Sequence, residues 1–109
     1  MKRHEKNIIK IPISFRLGKS HISVHVDDEY CSENKAYGEA DFTEKKILLC
    51  DKYKGAKIKQ SEIEITFYHE LVHMILDACK RHNLKYNEDF VDEFSKKLHQ
   101  FYVSAKYDD

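Results

Sequence analysis

Apolar residues alternate with polar or small ones through Ile9, Ile11, Ile13 and Phe15, the two-residue period of a half-buried strand. After the turn-like run Leu17-Gly18-Lys19-Ser20 the alternation returns at Ile22, Val24 and Val26, so the two segments predict a hairpin. Residues 37–42 and 46–50 bracket Thr43-Glu44-Lys45 and predict a second one. Between the hairpins residues 27–35 are polar and predict a loop. Residues 51–59, basic and containing Gly55, predict a connector. Strands are therefore expected within about residues 8–50, as an N-terminal antiparallel sheet.

The period then lengthens. Ile65, Tyr68, Val72, Ile75, Leu76 and Cys79 follow the i, i+3, i+4 recurrence of an amphipathic helix. Ser61-Glu62-Ile63-Glu64 fits an S-x-x-E capping box at its start. The helix is expected over about residues 62–81, with basic residues at its negative end. Asn87 predicts the N-cap of a second helix over about residues 88–104, with Glu88 and Asp89 in its first turn. Val91, Phe94, Leu98, Phe101 and Tyr102 would form its apolar face. The whole predicts a single α+β domain, a sheet packed on two helices.

Composition narrows the class. In 109 residues, 19 Lys+Arg balance 19 Asp+Glu, which argues against a nucleic-acid binder working through a one-signed field. Mean hydropathy is −0.69, and no apolar run approaches the length of a membrane span. Residues 7–15 are interrupted by Lys10, Pro12 and Ser14 and do not read as a secretory signal. Cys31, Cys50 and Cys79 make an odd set without C-x-x-C spacing, as expected of a chain in the reducing cytoplasm.

Chemistry concentrates in the predicted helices. His69-Glu70-Leu71-Val72-His73 is an H-E-x-x-H motif. Residues four apart stack one turn above each other, so two imidazoles can reach one tetrahedral ion. Glu70, one step round, can face a water on that ion without becoming a ligand. A metzincin third ligand would fall ten residues after His69, with a glycine at the seventh. Those positions hold Cys79 and Leu76, so that pattern fails. Residues 87–92 instead read N-E-x-x-x-D. Glu88 is then the expected third ligand, with Glu93 its rival on the same helix. Asp92 is placed to accept a hydrogen bond from a ligand imidazole, fixing its tautomer. Cys79 reads as a core thiol close to the motif, and the lysine run of residues 52–59 as a solvated connector.

These two motifs resemble the signature of the gluzincin clan of zinc metallopeptidases, in its minimal versions. The spacing Glu88-x-x-Val91-x-x-Phe94-Ser95-x-x-Leu98 is similar to a block of ImmA/IrrE-type metallopeptidases and their small phage and prophage relatives, with Val91 and Ser95 in place of alanines. The resemblance covers roughly residues 37–102. It implies Zn2+ held by His69, His73 and Glu88, Glu70 as general base, and Asp92 as the orienting carboxylate. It also implies an edge strand that holds an extended substrate, and residues 37–42 are similar in position to such an edge.

An oxyanion donor is not singled out among Tyr68, His82, Tyr86, His99 and Tyr102. His99 shares a helix stripe with Glu88, Asp92 and Ser95 and is the first choice. The expected activity is metal-dependent hydrolysis of an intracellular protein or peptide, by the family resemblance a regulator such as a repressor. The competing expectation is a catalytically silent zinc-binding interaction domain on the same fold.

Overall fold

The computed structural model describes residues 10–108; Ile9 and the first positions of the predicted opening strand lie outside them. In chain order the elements are β1 (Ser14–Leu17), β2 (Ser20–Val26), α1 (Asp28–Asn34), β3 (Gly38–Asp41), β4 (Lys46–Leu49), β5 (Lys52–Tyr53), β6 (Ala56–Lys57), α2 (Gln60–Ala78), α3 (His82–Lys85) and α4 (Glu88–Ser104). The α+β class holds. Among the described residues no helix is long and apolar enough to cross a membrane.

Both expected hairpins form. β1 and β2 run antiparallel with Phe15 opposite Ile22, and Gly18 supplies the positive φ of 60° at the first position of their two-residue loop. β3 and β4 run antiparallel with Ala40 opposite Ile47. The sheet as a whole is mixed, not antiparallel. Its order is β1-β2-β4-β3, and β2 lies parallel to β4 with Val24 opposite Ile47. The chain between these two strands carries α1 and β3, which gives it the length that a parallel crossover needs. β1 and β3 are the two edge strands, and β3 falls in the segment that the resemblance made similar in position to a substrate-binding edge.

Other departures have local causes. The polar stretch after β2 is a helix, not a loop. Asp27 caps α1 by accepting a bond from the Tyr30 N–H at 3.0 Å, and Lys35 ends it in the left-handed region. Only Cys31 in it is buried, too little apolar surface to leave a periodic signature. The basic connector folds partly into the small β5–β6 hairpin. Ile13 is 84% exposed, because the alternation breaks at Pro12 and β1 begins only at Ser14.

The core forms where the sheet meets α2. Ile22, Ile47 and Leu49 from the sheet pack with Phe67, Tyr68 and Met74 from the helix, and Phe15, Val24, Ile63 and Leu71 close round them. α2 starts at Gln60 with Lys59 as its N-cap and no side-chain cap bond, so Ser61 and Glu64 do not form the expected box. Glu64 is instead 3% exposed. Its carboxylate takes a bond from the Gln60 amide at 3.1 Å and pairs with His99 of α4 at 2.8 Å.

α4 packs on α2 through a different face from the one expected. Val91, Ser95, His99 and Val103 are buried, while Phe94 and Phe101 are 50% and 55% exposed. The Glu64–His99 pair and the side chain of Ser95, small and fully buried, let the helices meet along this line. Cys79 is the exposed C-cap of α2, not a core thiol; Cys31 and Cys50 are the buried ones.

Candidate metal centre

Residues 69 and 73 lie one turn apart on α2, so their rings share a face, with centroids 5.0 Å apart. α4 delivers the third group. Asn87 accepts a bond from the Phe90 N–H at 3.0 Å and caps the helix, which fixes Glu88 at its first position. His69 Nε2 then lies 3.1 Å from Glu88 Oε1, and His73 Nε2 lies 3.3 Å from Glu88 Oε2. One donor atom from each of His69, His73 and Glu88 falls within 4.8 Å of the others, so the group can hold a metal ion.

The far side of each imidazole also has a neighbour. His73 Nδ1 donates to the Lys85 carbonyl at 2.8 Å. A carbonyl only accepts, so Nδ1 carries a proton, and it is the other nitrogen, Nε2, that faces Glu88 and is left to act as a ligand. The donor set of two imidazoles and a carboxylate suits a divalent cation. His69 Nδ1 lies 3.8 Å from Asp92 Oδ1, so Asp92 flanks the ring but stands beyond the distance of the hydrogen bond expected of it.

α3, the short turn that periodicity did not show, supplies the Lys85 carbonyl. It is anchored by Lys85 Nζ, 2.8 Å from Asp77 Oδ1 on α2, and this ammonium holds the Asp77 carboxyl below its usual range. The same Nζ sits 4.3 Å from the Phe42 ring and 4.7 Å from the Tyr86 ring. Those two aromatics wall a cavity of about 360 Å3 that also touches Gly38, Ala40, Glu70 and the three candidate ligands.

Glu70 is 8% exposed and lines this cavity. Burial, reinforced by Glu88 and Glu39, pushes its carboxyl up to about 8, against a backbone hydrogen bond from Ala40 that favours the charged form. Glu39 is itself held by the Tyr30 hydroxyl at 2.6 Å, so α1 reaches the site through one residue.

β3 presses closely on α2. A Cβ at Gly38 would lie 2.6 Å from Thr66 Cγ2 and 3.0 Å from the Leu48 carbonyl. The Cys50 N–H bonds to the Tyr37 carbonyl at 3.3 Å, and the antiparallel alternation that follows turns the backbone groups of Gly38 and Ala40 towards the open edge. Gly38→Ala should lower stability by about 1–3 kcal/mol through this overpacking. Denaturant unfolding checks it, and an unchanged midpoint would mean that the strand yields freely.

Not every candidate arrives. The structure does not bring His99 to the cavity. It is three turns beyond Glu88, about 16 Å along the helix, and its Nε2 is engaged by Glu64 at 2.8 Å. Of the five possible oxyanion donors only Tyr86 lines the cavity. Tyr68 and Tyr102 stack on each other, ring centroids 5.5 Å apart, on the α2–α4 side. Glu93, the rival ligand, lies instead against Phe90, Phe94 and Lys97. Family models, curated proteins and solved structures yield no match to this chain.

Proposed function

We propose that the chain is a zinc-dependent peptidase that hydrolyses a protein or peptide in the cytoplasm by metal-activated water. The carrying observation is the convergence of His69, His73 and Glu88 from two helices, with His73 bonded through Nδ1 and its Nε2 left to act as a ligand. The resemblance to gluzincins of the ImmA/IrrE and phage-related kind supports the same reading. Two imidazoles and a carboxylate are a zinc donor set.

Bound zinc would supply Lewis-acid activation of a water molecule and polarise the scissile carbonyl. The chain's own residues do the rest. Glu70 lies beside the ligands in the same cavity, where its carboxylate accepts the proton of the attacking water and returns it to the leaving amine. Tyr86 offers a hydroxyl to the oxygen on which charge develops. The outward N–H and C=O of Gly38 and the outward C=O of Ala40, whose N–H is taken by Glu70, orient an extended peptide by strand addition.

Metal analysis of the purified chain, joined to hydrolysis of a denatured-protein substrate, tests the reading. One equivalent of zinc is expected, with hydrolysis lost on chelation and restored by zinc. Cleavage that persists in metal-free protein would sink it. Stoichiometric zinc without cleavage of any substrate would favour the silent interaction domain.

A further inference from the structure

A second cavity lies on the other side of the β3 start from the candidate metal centre. Its volume is about 270 Å3, and it is lined by Tyr37, Tyr53, Lys57, Lys59 and Glu62 among others. Tyr37 is the neighbour of Gly38 in the first cavity. Glu62, Thr66 and Glu70 follow one another at i, i+4 and i+8 on α2, and Thr66 lies directly under Gly38. One helix face thus floors both compartments.

Their charges differ. The first compartment is lined by Glu39, Glu70 and Glu88, whereas Glu62 is the one acid among the lining residues of the second. The segment that walls the second carries Lys52, Lys54, Lys57 and Lys59 with no acid between them, in a chain whose formal charge is zero. Lys54 Nζ sits 5.6 Å from the Tyr53 ring, and the Tyr37 and Tyr53 rings pack at 4.8 Å. An aromatic wall lined also by Lys57 and Lys59, with the Lys54 ammonium over the Tyr53 ring, suits a carboxylate on a short side chain or chain end.

We infer that this second compartment receives a carboxylate of the peptide substrate, at a fixed offset on one side of the cleaved bond. The inference rests on the peptidase reading above. Eight residues of helix from Glu62 to Glu70 span about 12 Å, the reach of roughly three to four residues of extended peptide.

The test uses the full-length, zinc-loaded chain and a fluorescent peptide series in which Glu, Gln or Lys is scanned through one sequence, each with a free or an amidated C-terminus. Binding is read by anisotropy and cleavage by mass spectrometry, for the parent and for the Lys57→Glu/Lys59→Glu variant. Both lysines are exposed, and an acid at the start of α2 suits its dipole, so the variant should fold. The expected result is a preference of about tenfold for Glu over Lys at one offset. The preference should fade at high salt and be lost or inverted in the variant. Preference among amidated peptides identifies an acidic side chain; preference only for free acids identifies a terminal carboxylate, and either supports the inference. Cleavage with no acid preference, or a preference that survives charge reversal, overturns it and leaves the peptidase standing. Acid-selective binding without cleavage, lost in the variant, keeps the compartment as a carboxylate site but overturns the peptidase reading and, with it, the offset from a cleaved bond. Absence of both binding and cleavage across the series counts against both.

Discussion

Glu70→Gln should leave the chain folded and loaded with zinc while slowing hydrolysis by about 10²–10⁴-fold, the contribution of a positioned general base. The amide keeps the shape of the side chain and an oxygen for the bond from Ala40, but it cannot take up a proton. Glu70 is buried among like charges that hold its carboxyl up, so a neutral side chain should cost no stability and should add some. Zinc content, thermal midpoint and turnover, measured on the same preparation, separate the outcomes. A variant that keeps the parent's rate would remove Glu70 from the chemistry. One that loses its zinc would recast Glu70 as part of the metal's support.

Glu88→Ala should weaken zinc affinity by at least about 100-fold, since supporting residues alone are worth 10–100-fold and a ligand is worth more. The change strips the one carboxylate that faces both imidazoles, at 3.1 and 3.3 Å. Glu88 is 67% exposed, and its favourable interaction with the start of α4 is worth only about 0.3–1 kcal/mol. The metal-free variant should therefore keep its fold, and competition with a chromogenic chelator reads the affinity directly. Glu93→Ala is the control and should bind zinc as the parent does. Undiminished affinity in Glu88→Ala would make Glu88 an ordinary charge at a helix start.

The group that could hold a metal ion was legible in the chain because its parts are local. The four-residue spacing of His69 and His73 and the cap at Asn87 each depend on a single helical turn, the first hairpin follows from alternation around a short turn, and the second from the turn-like trio Thr43-Glu44-Lys45. What stayed hidden depends on distant partners. Ser61-x-x-Glu64 has the form of a capping box, but Glu64 is claimed by His99, 35 residues on. That pairing also rotates α4 so that Phe94 and Phe101 face outward. Alternation marks strands without naming their neighbours, so the parallel pairing of β2 with β4 could not be read from it. α1 buries one side chain, and α3 is a single turn whose use is a backbone carbonyl. Tyr86 follows that turn and had no pattern to separate it from the other hydroxyl-bearing candidates.

The parallel pairing of β2 with β4 also bears on the order of events during folding. Val24 cannot meet Ile47 until the chain between them has been laid out, and closing such a loop is unfavourable before its contacts form. The helices and the two hairpins can each nucleate alone, whereas the sheet that presses Gly38 onto Thr66 joins them last. The wall that β3 gives to the cavity beside His69, Glu70 and His73 is thus completed in a late step, and the cavity takes its shape only as the sheet closes.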